Sequence, residues 1–175
     1  LANNKAESFW NILTQEDQIY GMSASNAEEG IDQAEAGMDF LCLDNTTNIL
    51  TKKTKNIPHV INNVNKLFHK GYGSTPIVIK TKPLGFKEMT KIIQSGVAGI
   101  WCDDENVQKN GQRTGDLLST KSMITQLTQV RLAADVCRVP SIIIASTKIN
   151  NSGMSENFRT NLSDQKYEST KTNNK

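Results

Sequence analysis

Arg131-Leu-Ala-Ala-Asp-Val-Cys-Arg-Val-Pro-Ser-Ile-Ile-Ile-Ala-Ser-Thr147 is the stretch from which the fold can be read. Just upstream and into it, Met123, Leu127, Val130, Ala134 and Cys137 recur at intervals of four and three, which lays one apolar stripe along a helix. Pro140 stops that helix. Ile142, Ile143 and Ile144 then form an unbroken β-branched run, the pattern of a strand covered on both faces in a parallel sheet. Helix, short turn and buried strand together make the repeat unit of an α/β fold.

Upstream, the same unit recurs. Residues 1–18 are polar around Phe9, Trp10, Ile12 and Leu13, which predicts a short amphipathic helix lying on the domain surface. Ile19 to Met22 reads as a brief first strand. Ser23 or Ser25 is placed to cap a helix with Glu28 and Glu29 in its first turn, Ala27, Ile31 and Ala34 inward, and Gly37 at its end. Met38 to Leu43 is the next strand. A polar loop, Asp44 to Asn56, leads to a helix through Val60, Ile61, Val64, Leu67 and Phe68, and then to a strand over Pro76 to Ile79. Phe86, Met89, Ile92 and Ile93 mark a further helix ending at Gly96, and Val97 to Cys102 a fourth strand. Asp103 to Ser122 reads as a long polar connection. The reading is an α/β domain over 19–149, a partial (β/α) TIM-type barrel of about five parallel strands. An irregular polar C-terminal tail over 150–175 is too poor in apolar residues to order alone.

Composition narrows the function classes. With 20 basic and 18 acidic residues the net charge is +2, and the densest basic cluster, Lys52, Lys53 and Lys55, reads as a solvated loop, so no nucleic-acid partner is expected. No apolar run reaches the roughly 20 residues of a membrane span. The three cysteines, Cys42, Cys102 and Cys137, form no CxxC pair and are expected as reduced, partly buried thiols of an intracellular protein, cytoplasmic or mitochondrial. His59 and His69 lack partners at metal-ligand spacing and read as helix-surface residues. Gly71-Tyr72-Gly73 lacks the Gly-Lys-Ser/Thr ending of a phosphate loop.

Arg131 to Ala145 resembles the Arg-Leu-Ala-Ala-Asp-Val-Met-Gly-Val-Pro-Thr-Leu-(hydrophobic)-(hydrophobic)-Ala segment of the isocitrate lyase/phosphoenolpyruvate mutase superfamily. Further matches follow in order: Ser23 to Ala27 with Gln33 to Gly37, Ile57 to Phe68, Gln94 to Ile100, and Phe9 to Leu13. The resemblance covers about residues 8 to 148 and implies a barrel whose sites lie at the carboxyl ends of the strands. It also implies Mg²⁺ held by acids at strand ends, a catalytic cysteine, and arginine and histidine on substrate carboxylates.

At the implied positions the residue types differ. The acidic metal-binding run after the third strand falls on Lys80-Thr81-Lys82, and an ammonium has no lone pair for a cation. The Ser-Gly-Trp after the second strand falls on Asp44-Asn45-Thr46. The catalytic Lys-Lys-Cys-Gly-His falls on Gln108 to Gln112, so Asn110 stands for the thiol and Gln112 for the imidazole, and neither can do that chemistry. The Arg-Thr-Asp after the fifth strand falls on Ser146-Thr147-Lys148. Asp103 and Asp104 alone keep their acidic type, as weak remnants of a metal site; adjacent acids opening a polar loop also read as solvated surface. Cys102 could replace the lost nucleophile, but at the end of an apolar strand it reads as a buried, inert thiol.

These residues lead to the expectation of a catalytically inactive isocitrate lyase-like protein with no cofactor, serving as a structural or assembly subunit with protein partners in a larger complex or hetero-oligomer. The alternatives are an isocitrate or methylisocitrate lyase with a rewired site, and a ligand-sensing module.

Overall fold

A computed structural model describes residues 2–44, 57–81, 84–107 and 113–147; the polar tail expected over 150–175 lies outside them. The elements run α1 (Ala2–Gln15), β1 (Gly21–Ala24), α2 (Ala27–Glu35), β2 (Phe40–Asp44), α3 (Ile57–His69), a 3₁₀ turn (Tyr72–Ser74) and β3 (Ile77–Thr81). Next come α4 (Phe86–Gln94), β4 (Gly99–Asp103), β5 (Glu105–Val107), β6 (Arg113–Leu117), α5 (Thr120–Cys137) and β7 (Ile142–Ser146). Five strands form one parallel sheet in the order β1-β2-β3-β4-β7, the partial barrel-type α/β sheet expected from the alternation.

Register assigns every strand residue to one of two faces, because successive side chains in a strand point to opposite sides. Leu41, Ile77, Ile79, Ile100, Cys102 and Ile143 share one face and pack with Val64, Leu67, Met89, Ile92, Val130 and Ala134 of the helices. On the other face Val78 and Ala98, with Phe40, Trp101, Ile142 and Ile144, pack around Phe9. Phe9 is buried and its ring lies 5.2 Å from that of Phe40. The N-terminal helix is therefore not simply laid on the surface. It contributes an aromatic anchor to the second face of the sheet, at the end where the strands begin.

Four further expectations are corrected. The polar connection 103–122 contains an antiparallel ribbon of β5 and β6. Such a ribbon satisfies its backbone through its own ladder and needs no apolar run, so hydrophobic periodicity does not reveal it. The cap of α2 is Asn26, neither Ser23 nor Ser25: its Oδ1 accepts from Glu29 N at 2.9 Å, while Glu29 Oε2 accepts from Ser25 N at 2.6 Å, a reciprocal capping arrangement. β7 is covered less than its isoleucines suggest: all three are half-buried because β7 is the last strand of the sheet. The first strand also begins two residues later than expected, at Gly21.

Two backbone constraints position the end of α5 and the strand beyond it. Gly99 faces β7 so closely that a Cβ there would sit 2.8 Å from the carbonyl oxygen of Ile142. Arg138, after the last residue of α5, adopts φ 56° and ψ 39°, the left-handed conformation in which its N–H donates to Ala134 O and Asp135 O. This closure needs positive φ, which costs a non-glycine residue about 1–2 kcal/mol. Replacing Arg138, whose side chain is exposed, by glycine is expected to raise stability by about 0.5–1 kcal/mol, read as a higher urea midpoint with unchanged slope. A lower midpoint would show that the arginine side chain contributes more than its backbone costs.

Candidate functional site

The carboxyl ends of the strands, on the face shared with Phe9, gather the polar side chains of the sheet. Asp44 of β2 is the register partner of Lys80 of β3, and Lys80 is the partner of Trp101 of β4. Two residues on, Asp103 points to the same side and pairs with Ser146 of β7. Lys80 Nζ lies 3.6 Å from Asp103 Oδ2 and 5.6 Å from the centre of the Trp101 ring. The Trp101 indole donates to Ser146 Oγ at 2.7 Å, and that hydroxyl donates to Cys102 O at 3.4 Å. A cation, a carboxylate, an aromatic face and a hydroxyl thus engage one another directly.

The ion pair is mostly removed from water, with Lys80 17% and Asp103 8% exposed. At an effective dielectric near 20 the attraction at this distance is about 4–5 kcal/mol, which desolvation of several kcal/mol per ion largely offsets. Such a pair adds little net stability, but neither partner can be removed alone without leaving a buried charge. The nearby ring adds a cation–π attraction of about 0.5–2 kcal/mol.

The thiols are not arranged for chemistry. Cys102 lies on the helix-packed face, turned away from Lys80, and burial pushes its pKa up to about 11. The Gln126 amide favours the thiolate slightly without reaching hydrogen-bond geometry. Cys42 shares the face of Lys80; burial raises its pKa too, and the Ser23 hydroxyl, 3.9 Å away, works weakly against that. Burial also raises Cys137. None has the depressed pKa of an activated nucleophile, which accords with the inert reading of Cys102.

Of the residues singled out by sequence, the structure brings together Lys80, Asp103 and Ser146, with Asp104 adjacent in the chain. The solvated-surface reading of the two acids is overturned: Asp103 and Asp104 are both buried, and the backbone at Asp104 is tied on both sides, with Leu118 N donating to Asp104 O at 2.6 Å and Asp104 N to Ser146 O. Asn45, Thr46, Lys82, Asn110 and Gln112 lie outside the described residues. His59, half-buried, sits 3.4 Å from Asn63 Nδ2, and His69 is exposed, as surface helix positions. Among the described residues no group of three His, Cys, Asp or Glu side chains is placed to hold a metal. The Mg²⁺ implied by the resemblance does not fit this donor set, because an ammonium stands against the one acid that faces the site from β4.

Two contributors were not anticipated. Trp101 follows from period-two alternation with Asp103, a signal hidden inside an apolar run. Gln126 is buried on the inner side of α5 with both amide atoms lacking a hydrogen bond. A groove of about 530 Å³ lined by Glu7, Trp10, Arg131, Ser141 and Ile142 lies at the opposite end of the sheet, where β7 begins, apart from this cluster.

No family model matches the sequence. Over 181 residues the chain is 26% identical to an isocitrate lyase of Halalkalibacterium halodurans, covering 84% of this chain and 42% of that protein. Over 70 residues it is 40% identical to a bifunctional glyoxylate cycle protein of Caenorhabditis elegans, covering 38% of this chain and 7% of that protein. Among solved structures it resembles 2,3-dimethylmalate lyase, described as a member of the phosphoenolpyruvate mutase/isocitrate lyase superfamily, with a TM-score of 0.64 at 16% identity. It also resembles oxaloacetate acetylhydrolase, with a TM-score of 0.67 at 14% identity. Each of these likenesses covers 87% of this chain but only 57% and 56% of the respective structures, so the chain spans little more than half their length.

The raised Cys102 pKa makes a pH prediction. In the unfolded chain the thiol ionises near its ordinary value of 9.0, and in the folded chain only near about 11. The stabilisation is therefore complete below pH 9 and is lost as pH rises toward 11, a fall on the order of 2 kcal/mol. Cys102→Ala should flatten that part of the stability profile measured by urea unfolding. An unchanged alkaline slope in the variant would show that Cys102 does not contribute it.

Proposed function

Because the chain belongs to the isocitrate lyase/phosphoenolpyruvate mutase superfamily, we propose that it is a catalytically silent member that serves as a structural subunit of a larger protein assembly. The observation that carries the silent half is the make-up of the strand ends. Lys80 is held by Asp103 and Trp101 by Ser146, Cys102 faces the other way with a raised pKa, and burial also raises the pKa of Cys42, the thiol that shares their face. Carbon–carbon cleavage with a metal needs a Lewis acid and an ionisable acid or base poised on substrate, and here the charged groups satisfy each other.

The surface beside β7 supports the assembly half. The half-buried isoleucines of this last strand adjoin α5, on which Ile124, Leu132 and Val136 are exposed, and exposed Trp10 lies in the groove at the strand's start. A sheet edge flanked by exposed apolar side chains is a ready site for a partner. Among the described residues no helix is long and apolar enough to cross a membrane.

A second reading is an active lyase with a rewired site, and the retention of Asp103 and Asp104 as buried acids favours it. The two readings separate in one preparation. The silent-subunit reading predicts no glyoxylate above background when the protein is incubated with Mg²⁺ and isocitrate or methylisocitrate, and a native mass above that of a single chain. Turnover that is lost in Asp103→Asn would establish the lyase reading. A monomeric native mass at micromolar concentration, with no co-purifying protein, would remove the assembly role.

A further inference from the structure

Across three adjacent strands the carboxyl ends present an acid, a lysine and an acid on one face. β2–β3 pairing sets Asp44 beside Lys80, and β3–β4 pairing brings Asp103 within 3.6 Å of the same ammonium. Asp44 and Lys80 both act electrostatically on the Cys42 thiol, as side chains of one face must. Trp101 flanks the ammonium, and both Lys80 and Asp103 are mostly shielded from water.

We propose that Lys80 is a tethered replacement for a divalent cation. Its ammonium balances the strand-end acids of β2 and β4 with a charge that is part of the chain, so this end of the sheet is complete without metal and closed to Mg²⁺ and Mn²⁺. A lysine can fill this role because it brings a compact point charge on a stem long enough to reach the neighbouring strands. It also excludes the ion, since it offers no lone pair and repels a second cation from the carboxylates it holds. The inference deepens the silent half of the proposed function and is independent of the assembly half: a metal found here would end the former and leave the native mass unaffected.

Titration of the full chain with Mn²⁺, followed by the electron paramagnetic resonance of the free ion, reads the claim without any activity assay. The wild-type protein is expected to show no site tighter than about 1 mM, and its thermal midpoint should move by less than about 1 °C between EDTA and about 10 mM MnCl₂. Lys80→Ala leaves the acids without their cation. Its midpoint should fall by about 5–10 °C in EDTA and recover at least about half of that loss in the same MnCl₂. Lys80→Arg, which keeps a cation, should remain insensitive to Mn²⁺. One Mn²⁺ bound by the wild-type protein with Kd below about 1 mM overturns the proposal, as does a Lys80→Ala variant whose midpoint neither falls nor responds to Mn²⁺. If Lys80→Ala does not fold under either condition, the wild-type titration decides.

Discussion

The pairing of β3 with β4 is the constraint on which the rest depends. It puts Ile79 beside Ile100 on the helix-packed face and Lys80 beside Trp101 on the other. Since side chains alternate strictly, a slip of one residue would turn one of the two strands over, sending either Lys80 or Asp103 into the apolar layer under α4 and α5 and bringing Ile79 or Ile100 of the same strand to the strand-end cluster. The cost of burying those charges against Met89, Ile92 and Val130 makes the observed register much the better one. The close approach of Gly99 to Ile142 extends the same register to β7 and so brings Ser146 within reach of the Trp101 indole.

Lys80 is held from more than one side. Opposite charges on adjacent strands hold each other in place, and the surrounding groups complete the arrangement: the indole beside the ammonium, the serine hydroxyl accepting from the indole, and the backbone of Asp104 bonded to Leu118 and Ser146. The apolar layers carry the α/β framework, while the strand ends hold a self-satisfied set of polar contacts. That division follows from where the constraints lie, since the apolar layers specify the fold and the loop ends are open to change.

Much of the fold is legible in the residue pattern because it depends on local periodicity. The α5 stripe from Met123 to Cys137, the apolar runs of β2, β3 and β4, and the glycines at 37 and 96, both at positive φ where a helix closes, are readable one segment at a time. The misreadings have a common physical origin in long-range contacts. Nothing near Phe9 in the chain indicates that it will pack on Phe40, and nothing near Asp103 indicates Lys80, 23 positions earlier. The β5–β6 ribbon leaves no mark in the hydrophobic pattern because its ladder bonds need no apolar residues, and the isoleucines of β7 do not reveal that it ends the sheet. Local rules find elements; the site is made by register.

A double-mutant cycle on Lys80→Met and Asp103→Asn, with folding free energies from urea unfolding, tests the central claim most directly. If the ammonium and the carboxylate are obligate partners, each single change destabilises the protein, the double change recovers part of the loss, and the coupling energy is about 1–3 kcal/mol. A coupling within about 0.3 kcal/mol of zero would mean that the two groups do not depend on each other, and that the strand ends are not organised around a lysine's charge.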